Sequence, residues 1–302
     1  MSDFMLVCKS YRGDLARVRR LLDTLAPHNP QGLPTVVIVP SDDLPLFREG
    51  LAGQRHELVS DEDVVRSHPK AGSNQLLDRY KNTPGYRSQQ VIKSDAWRLL
   101  GCDSYLCVDS DTVFLRDIGR SDFLHPDGHP YTLIHQSRDL LQLAVDRGHP
   151  GVAQHFREES QRLKSLFGRV GPDYDFGPQP LLWSSRVWND LDRRFFEPRG
   201  WTLWDAIDHV PTEIRWYGEA LLAYQSIPLA PIEPLFRVYH HDWQWLAMRR
   251  LGETPEKLAD QFLGAVYQSN WEFELDAPGT RSALSRLSRQ FKRFRRRLEN
   301  LR

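Results

Sequence analysis

The first 40 residues combine apolar runs with a helical pattern. Residues 4–10 (FMLVCKS), which begin with an apolar run, are predicted to form a first strand, and residues 15–25 carry leucine and valine at helical spacing. A second apolar run, residues 35–39, is rich in β-branched side chains and lies between two prolines. We therefore predict a strand–helix–strand unit, which implies a parallel sheet with a right-handed crossover.

A further strand is predicted in the middle of the first half, and polar residues follow it directly. Residues 88–101 (SQQVIKSDAWRLLG) predict a helix with Ser88 as its N-cap and Gly101 as its stop. The β-prone run SYLCV comes next, and Asp109 and Asp111 follow that run. Ligands of open parallel sheets bind beyond the carboxyl ends of the strands, so we expect both aspartates at a ligand site.

The remaining segments are less regular. Residues 41–88 mix charge, Gly and Pro with weak periodicity. Helical patterns occur in RDLLQLAVDRG, VAQHFREESQRLKSLFG and YGEALLAYQSI. The segment PQPLLWSSRVWNDL is predicted to go from a strand into a helix, and APIEPLFRVYHHDW to go from a proline-rich loop into a strand-like run. Because prolines and glycines are dispersed, no linker between domains is indicated. We predict one α/β domain over residues 1–275 and a separate segment over residues 276–302.

Charge sets that last segment apart. The net charge of the chain is zero, but residues 281–302 carry nine Lys or Arg and one Glu. Their apolar residues recur at helical spacing: Leu284, Leu287, Phe291, Phe294, Leu298 and Leu301. We predict a basic amphipathic helix that lies on an anionic membrane surface. A coiled-coil seam and packing against the acidic remainder of the chain are alternatives. No nucleic-acid recognition motif accompanies the basic charge, so we expect no nucleic-acid partner.

Composition indicates a cytoplasmic protein. Hydrophobic residues make up 40% of the chain, yet no run approaches the ~18 apolar residues of a membrane span. The N-terminus lacks the basic and apolar regions of a signal peptide. The three cysteines lack metal-site spacing, and Cys8 and Cys107 fall in predicted strands, so we expect buried, reduced thiols.

Paired aspartates at a strand end have two interpretations. Two carboxylates in one cleft repel each other, and a divalent cation with oxygen ligands, such as Mg²⁺ or Mn²⁺, would relieve that repulsion. Such a cation would also neutralise a departing diphosphate. Asp and Ser favour turns as well, so the sequence Asp109-Ser110-Asp111 alone is compatible with a plain strand-end turn.

The surrounding residues favour the metal interpretation. The segment KSDAWRLLGCDSYLCVDSDTVF, within residues 87–114, closely resembles the Asp-x-Asp region of nucleotide-sugar-dependent glycosyltransferases with the GT-A fold. That group includes relatives of yeast initiating mannosyltransferases and clostridial toxin glucosyltransferases. The resemblance implies a Rossmann-like α/β domain with a mostly parallel central sheet flanked by helices. It also implies that Asp111 binds Mn²⁺ or Mg²⁺ and that Asp109 contacts the metal, the donor ribose or both.

The same resemblance assigns a donor site. Six further residues are expected to hold the donor: Lys9, Tyr11, Arg87, Lys93, Asp95 and Arg98. Asp95 and Arg98 match the helix pair that holds the sugar hydroxyls and the diphosphate, and Lys93 and Arg87 would counter phosphate charge. Lys9 and Tyr11 follow the first strand, where the base and ribose bind. The ordinary alternatives are an exposed ion pair at Asp95 and Arg98 and a solvated helix face at Lys93.

Three more residues complete the expected site. His240, in preference to its neighbour His241, is expected as a third metal ligand, and a surface or core histidine is the alternative. Glu219, in a short predicted helix, would act as general base in an inverting enzyme or hold the sugar in a retaining one. The helix dipole also explains an acidic residue there. Asp175 lies in the loop YDFGPQP, which is expected to line the acceptor site.

Together these expectations describe a metal-dependent glycosyltransferase of the hexosyltransferase type. It would move a sugar from a nucleotide-sugar donor, with UDP-sugars favoured, to a glycan or lipid-linked acceptor at the inner face of the membrane. Surface polysaccharide or lipopolysaccharide synthesis is the expected setting. A nucleotidyltransferase is a rival, although KSYRGD is a poor version of its Gly-rich basic loop. A catalytically silent membrane adaptor with the same fold is a second rival, and the sequence leaves the sugar, the acceptor and the stereochemistry open.

Overall fold

Strands and helices alternate along most of the chain. The computed structural model describes residues 3–72, 74–146, 148, 150–240 and 242–268. The strands are β1 (Phe4–Lys9), β2 (Thr35–Val39), β3 (Glu57–Ser60), β4 (Ser104–Val108), β5 (Thr112–Phe114), β6 (Thr132–Leu133), β7 (Leu181–Ser184), β8 (Pro231–Ile232), β9 (Phe236–Tyr239) and β10 (Gly264–Tyr267). The α-helices are α1 (Leu15–Leu25), α2 (Leu44–Gly50), α3 (Asp61–Ser67), α4 (Gln75–Asn82), α5 (Gly85–Leu100), α6 (Arg120–Phe123), α7 (Arg138–Asp146), α8 (Pro150–Phe167), α9 (Ser185–Leu191), α10 (Leu203–His209), α11 (Glu213–Tyr224), α12 (Asp242–Arg250) and α13 (Pro255–Ala259).

A five-stranded sheet forms the centre of the fold. Its strand order is β3-β2-β1-β4-β7, in which the first four strands are parallel and β7 runs antiparallel to β4. The chain builds outward from β1 to β2 and β3 and then returns to the other side of β1 with β4. The strand order therefore reverses between β1 and β4, and ligands of open α/β sheets bind at such a reversal.

The inner strands are buried on both faces of this sheet. Along β1, Phe4, Leu6 and Cys8 pack in one hydrophobic cluster with α1 and α2, whereas Met5 and Val7 pack in another with α5, α9 and α11. Strands covered by helices on both faces have continuous apolar sequences, which is why they could be recognised in advance. The predicted α/β class, with a mainly parallel central sheet flanked by helices, is confirmed.

A small three-stranded sheet, β5-β10-β9, continues from the end of β4. β5 is antiparallel to β10, and β10 is parallel to β9. Residues 109–111 separate β4 from β5, so this turn connects the two sheets. The Tyr267 N–H donates a hydrogen bond of 3.1 Å to the Asp111 carbonyl. The carboxyl ends of β9 and β10 consequently lie beside the turn that carries both aspartates.

One local prediction needs correction, and the segment of weak periodicity contains regular elements. Helix α5 begins at Gly85, so Ser88 lies inside its first turn and donates to the Gly85 carbonyl at 3.3 Å instead of capping the helix. Gly101 does end α5, in the left-handed conformation at φ 62°. Residues 41–84, in which the sequence shows only weak periodicity, contain α2, β3, α3 and α4.

The remaining sequence predictions concern the cysteines, membrane-spanning helices and the C-terminal segment. Cys8, Cys102 and Cys107 are buried free thiols, as predicted for two of them, and burial raises the pKa of Cys107 to about 12. Within the described residues, no helix has the length and apolar character that a membrane crossing requires. The domain boundary predicted at residue 275 and the helix predicted over residues 276–302 lie outside the described residues.

Gly264 in β10 is expected to tolerate no side chain. An added Cβ would overlap the Val113 carbonyl oxygen and approach the Phe236 ring to 2.8 Å. A backbone oxygen cannot move away by a rotamer change, so we expect Gly264→Ala to lower the free energy of unfolding by about 1–3 kcal/mol in urea denaturation. Gly85→Ala is the matched control, because nothing lies within 4 Å of its added Cβ. That control should be neutral or stabilising by up to about 1 kcal/mol, and equal losses in both variants would contradict the packing argument.

Candidate active site

A polar cleft opens at the strand reversal between β1 and β4. Its volume is about 320 Å³, which is in the range of small-ligand sites. The described residues that line it are Lys9, Asp14, Gln89, Gln90, Lys93, Asp109, Ser110, Asp111, Gln179, Glu213 and Ile214. The end of β1 and the segments that follow β1 and β4 contribute one part of the lining, and α5 and the start of α11 contribute another. Four residues predicted from the sequence, Lys9, Lys93, Asp109 and Asp111, are therefore brought together.

An ion pair between Lys93 and Asp109 joins α5 to the turn after β4. Lys93 is 2% exposed, and its Nζ lies 2.6 Å from Asp109 Oδ1. Burial lowers the pKa of Lys93, but the nearby acidic groups, Asp109 foremost, together outweigh burial and raise that pKa above its ordinary value. The ammonium group is therefore charged, and it lies at the surface of the cleft.

Gln179 contacts both members of this pair. With its amide nitrogen facing Asp109, Gln179 donates to Asp109 Oδ1 at 2.7 Å and accepts from Lys93 Nζ at 3.3 Å. Asp175, the predicted acceptor-site residue, lies outside the described lining and holds the preceding part of the same loop. Its carboxylate accepts from Ser137 Oγ at 2.6 Å and from the Gly177 N–H at 3.1 Å. Gln179 is thus the residue of this loop that reaches the cleft, and the loop's role in an acceptor site stays a prediction.

Asp109 and Asp111 enter the cleft from a single turn. Asp111 is 6% exposed, and the Ser110 hydroxyl between them donates to Asp14 Oδ2 at 3.2 Å. These carboxylates supply the oxygen ligands that Mg²⁺ and Mn²⁺ prefer, so the side chains fit a hard divalent cation. Among the described residues, no group of three His, Cys, Asp or Glu side chains is arranged as a metal site. A cation at the two aspartates would therefore draw further ligands from water or from the substrate.

His240, the preferred third ligand, lies directly after β9. Its N–H donates to Gln244 Oε1 at 3.0 Å, and its Nδ1 lies 3.3 Å from Gln268 Nε2. The pairing of β9 with β10 places His240 at the same end of the small sheet as Asp111, and its role as a metal ligand stays a prediction. His241 lies outside the described residues.

Lys9 is held at the end of β1 by a buried carboxylate. Its Nζ lies 3.0 Å from Asp61 Oδ2, which also accepts from the Tyr80 hydroxyl at 2.8 Å. Burial raises the pKa of Asp61, and the Lys9 ammonium opposes that rise. Tyr11, two residues further on, is 53% exposed and has its ring against Gly13. It lies outside the described lining, and its stacking on a base stays a prediction.

Three expected donor residues form ion pairs elsewhere. Arg98 donates from Nε to Asp95 Oδ1 at 3.0 Å and from Nη2 to Asp192 Oδ2 at 2.7 Å, which ties α5 to the segment after α9. Arg87, near the start of α5, pairs with Asp208 at 3.2 Å. The structure does not bring Arg87, Asp95 or Arg98 into the described lining. Their placement favours structural ion pairs over the donor contacts that the resemblance implies.

The two glutamates of α11 also differ from expectation. Glu219, the predicted base, is 2% exposed and forms a two-point ion pair with Arg169, in which Nη2 lies 2.7 Å from Oε1. Glu213, which the sequence interpretation did not single out, is 6% exposed and lines the cleft instead. Burial raises the pKa of Glu213, against the Lys93 ammonium and the N–H groups of Glu213 and Ile214. An acid in the first turn of a helix is so common that its sequence position carries no signal of function.

Known proteins resemble this chain in sequence and in structure. The sequence model of the "Family of unknown function (DUF6492)" matches residues 4–247. A comparison with curated proteins gives no match. Among solved structures, the mannosyltransferase Ktr4p from S. cerevisiae is 11% identical, with a TM-score of 0.30 over 41% of this chain and 38% of that chain. Mouse xyloside xylosyltransferase 1, in its apo form, is 11% identical, with a TM-score of 0.45 over 89% of this chain and 98% of that chain. Similarities at these TM-scores decide neither the fold nor the activity of this chain.

The buried triad of Asp95, Arg98 and Asp192 is expected to stabilise the fold. Arg98→Ala would leave two buried carboxylates without their cation, so we expect a loss of about 3–5 kcal/mol in the free energy of unfolding. Arg66→Ala, which removes an exposed pair with Asp63, is the control and should cost less than about 1 kcal/mol. Urea denaturation measures both. An Arg98→Ala protein of unchanged stability that has lost affinity for a nucleotide-sugar would instead restore the donor-binding interpretation.

Proposed function

The chain belongs to DUF6492, a family of unknown function, and we propose that it is a metal-dependent glycosyltransferase of the GT-A type that uses a nucleotide-sugar donor. The observation that carries this proposal is the cleft at the strand reversal, where Lys9 and Lys93 lie beside Asp109 and Asp111. A nucleotide-sugar presents a diphosphate, which needs cationic partners, and hydroxyl groups, which need carboxylate or amide partners. This one cleft offers both kinds of group.

The charge of the cleft supports the inclusion of a cation. The described lining carries two lysines, Lys9 and Lys93, and four acids, Asp14, Asp109, Asp111 and Glu213, so its formal charge is −2 when all are ionised. A diphosphate would bring further negative charge to this lining, and a divalent cation would offset it. When bound by Asp109 and Asp111, with His240 as a further candidate ligand, Mg²⁺ or Mn²⁺ would stabilise the departing diphosphate.

The residues of the chain itself have separate tasks in this proposal. Lys93 fixes the position of Asp109 and adds positive charge next to the expected phosphates. Lys9, held by Asp61, adds a second positive charge at the end of β1. The Gln179 amide, which already contacts Lys93 and Asp109, is placed to bond a sugar hydroxyl or a phosphate oxygen.

Donor, acceptor and location are proposed from the sequence. We propose a UDP-sugar as donor and a glycan or lipid-linked sugar as acceptor, in the synthesis of a surface polysaccharide. Residues 281–302, with nine Lys or Arg and a periodic apolar stripe, would hold the enzyme on an anionic membrane surface at its cytoplasmic side.

Donor binding is expected to raise the thermal stability of the protein. UDP-, GDP- and CMP-sugars are screened by thermal unfolding with and without Mn²⁺. One nucleotide class should stabilise the wild type by about 2.7 kcal/mol when its concentration is 100 times its Kd. The effect should require Mn²⁺, because the cation offsets the negative charge of the cleft. Asp111→Asn should lose this stabilisation while it stays folded.

Asp127→Asn is the matched control for this experiment. Asp127 is exposed and contacts His125 at 3.2 Å, outside the described lining. The control should keep the full donor-induced shift. A folded wild type that no nucleotide-sugar stabilises, or an Asp111→Asn protein that is stabilised as strongly as the wild type, would refute the proposed function. The first of these results would favour the silent-adaptor interpretation.

A further inference from the structure

On the premise of the proposed glycosyl transfer, we propose that Glu213 is the carboxylate that orients the attacking acceptor hydroxyl and receives its proton. Glu213 is the first residue of α11, and it lines the same cleft as Lys93 and Asp109. Its N–H donates to Gln90 Oε1 at 3.2 Å, which fixes the start of α11 against α5. The carboxylate therefore reaches the cleft from the helices, whereas Asp109 and Asp111 reach it from the end of the sheet.

The partners of Glu213 differ from those of nearby buried acids. Asp61, Asp109 and Glu219 each contact a Lys or Arg side chain within 3.0 Å. The described ion pairs do not include Glu213, whose pKa is raised by burial, against the charge of Lys93 and the N–H groups of Glu213 and Ile214. A carboxylate that no side-chain cation occupies keeps its lone pairs for a ligand, and a raised pKa makes it a stronger proton acceptor near neutral pH.

Glu219, the base expected from the sequence, lacks these properties. Arg169 donates to both carboxylate oxygens of Glu219. Glu219 also lies outside the described lining of the cleft. Removal of that ion pair would leave Arg169 without its carboxylate partner, so loss of Glu219 is expected to act through stability. Glu213 is the glutamate of α11 that has access to a substrate.

The step that we assign to Glu213 is balanced in atoms and electrons. The acceptor oxygen forms a bond to the anomeric carbon while its proton moves to the Glu213 carboxylate. The bond between the anomeric carbon and the diphosphate oxygen breaks, and its electron pair leaves with the diphosphate. Glu213 returns its proton to water after the product departs. Direct attack of this kind occurs on the face opposite the leaving group, so the product has an inverted anomeric configuration.

Glu213→Gln tests this assignment with the donor identified in the nucleotide-sugar panel. The variant should keep the donor-induced thermal shift, because the groups expected to hold the donor are intact. Release of nucleoside diphosphate with water as acceptor should fall by about 10²–10⁴-fold. Glu213→Ala with sodium azide is the second measurement. Azide carries no proton to remove, so it should restore diphosphate release and give a glycosyl azide of inverted configuration.

Two further variants complete the design. Glu256→Gln is the matched control, because Glu256 also lies in the first turn of a helix but is exposed; it should match the wild type. Glu213→Asp keeps a carboxylate and should retain more activity than Glu213→Gln, which tests the role even if the alanine variant folds poorly. Turnover of Glu213→Gln within a few-fold of the wild type, loss of its donor shift, or failure of azide to restore Glu213→Ala would each overturn the inference. A wild type that no donor stabilises, or that binds a donor without turnover, would refute the proposed function itself, whereas undiminished turnover of Glu213→Gln would overturn the inference alone.

Discussion

The buried ion pair between Lys93 and Asp109 is the contact on which the cleft depends. Removal of an ammonium group from water costs several kcal/mol, and only a close carboxylate in good geometry offsets that cost. Lys93 belongs to α5 and Asp109 to the turn after β4, so the 2.6 Å contact joins the helices to the end of the sheet at the strand reversal. It also balances the charge of one aspartate of the cleft with that of one lysine.

The central sheet could be predicted because its inner strands are covered on both faces. Residues 4–8, 35–39 and 104–108 read as apolar runs, and all three runs become neighbouring parallel strands. Residues 41–84 could not be interpreted in the same way. Their helices are short and rich in charge, and contacts distant in the sequence hold them, such as Arg79 with Asp205 at 2.8 Å. Such pairs are not visible in local periodicity. The start of α5 was predicted too late in the sequence, because Ser88 is a favourable N-cap residue, whereas Pro84 is the residue that precedes the helix.

The candidate site could be predicted only where topology alone brings residues together. Lys9 ends β1 and the two aspartates Asp109 and Asp111 follow β4, its parallel neighbour, so any chain with this strand order would collect them. For a residue in a helix, its place in the site depends also on the direction in which its side chain points. Lys93 and Asp95 are two positions apart on α5 and therefore face different ways, and Gln89 and Gln90 share the face of Lys93 through spacings of four and three. When Lys93 faces the cleft, Asp95 must turn toward Arg98 and Asp192. Glu213 and Glu219 are six positions apart on α11 and also point in different directions. The sequence alone does not say which of the two faces the cleft.

Pairing, rather than burial, distinguishes the structural charges of this protein from those of the cleft. Glu213 and Glu219 are almost equally buried, at 6% and 2% exposure, so burial gives no reason to assign them different roles. Glu219 has a guanidinium on both oxygens, and Asp95 and Asp192 share Arg98, so these charges are compensated inside the protein. The cleft is different, because its described lining has two more acids than bases. On the proposed function, a lining with more acids than bases at a strand reversal would receive a cationic ligand, and Glu213, which no described ion pair includes, would stay available for the reaction.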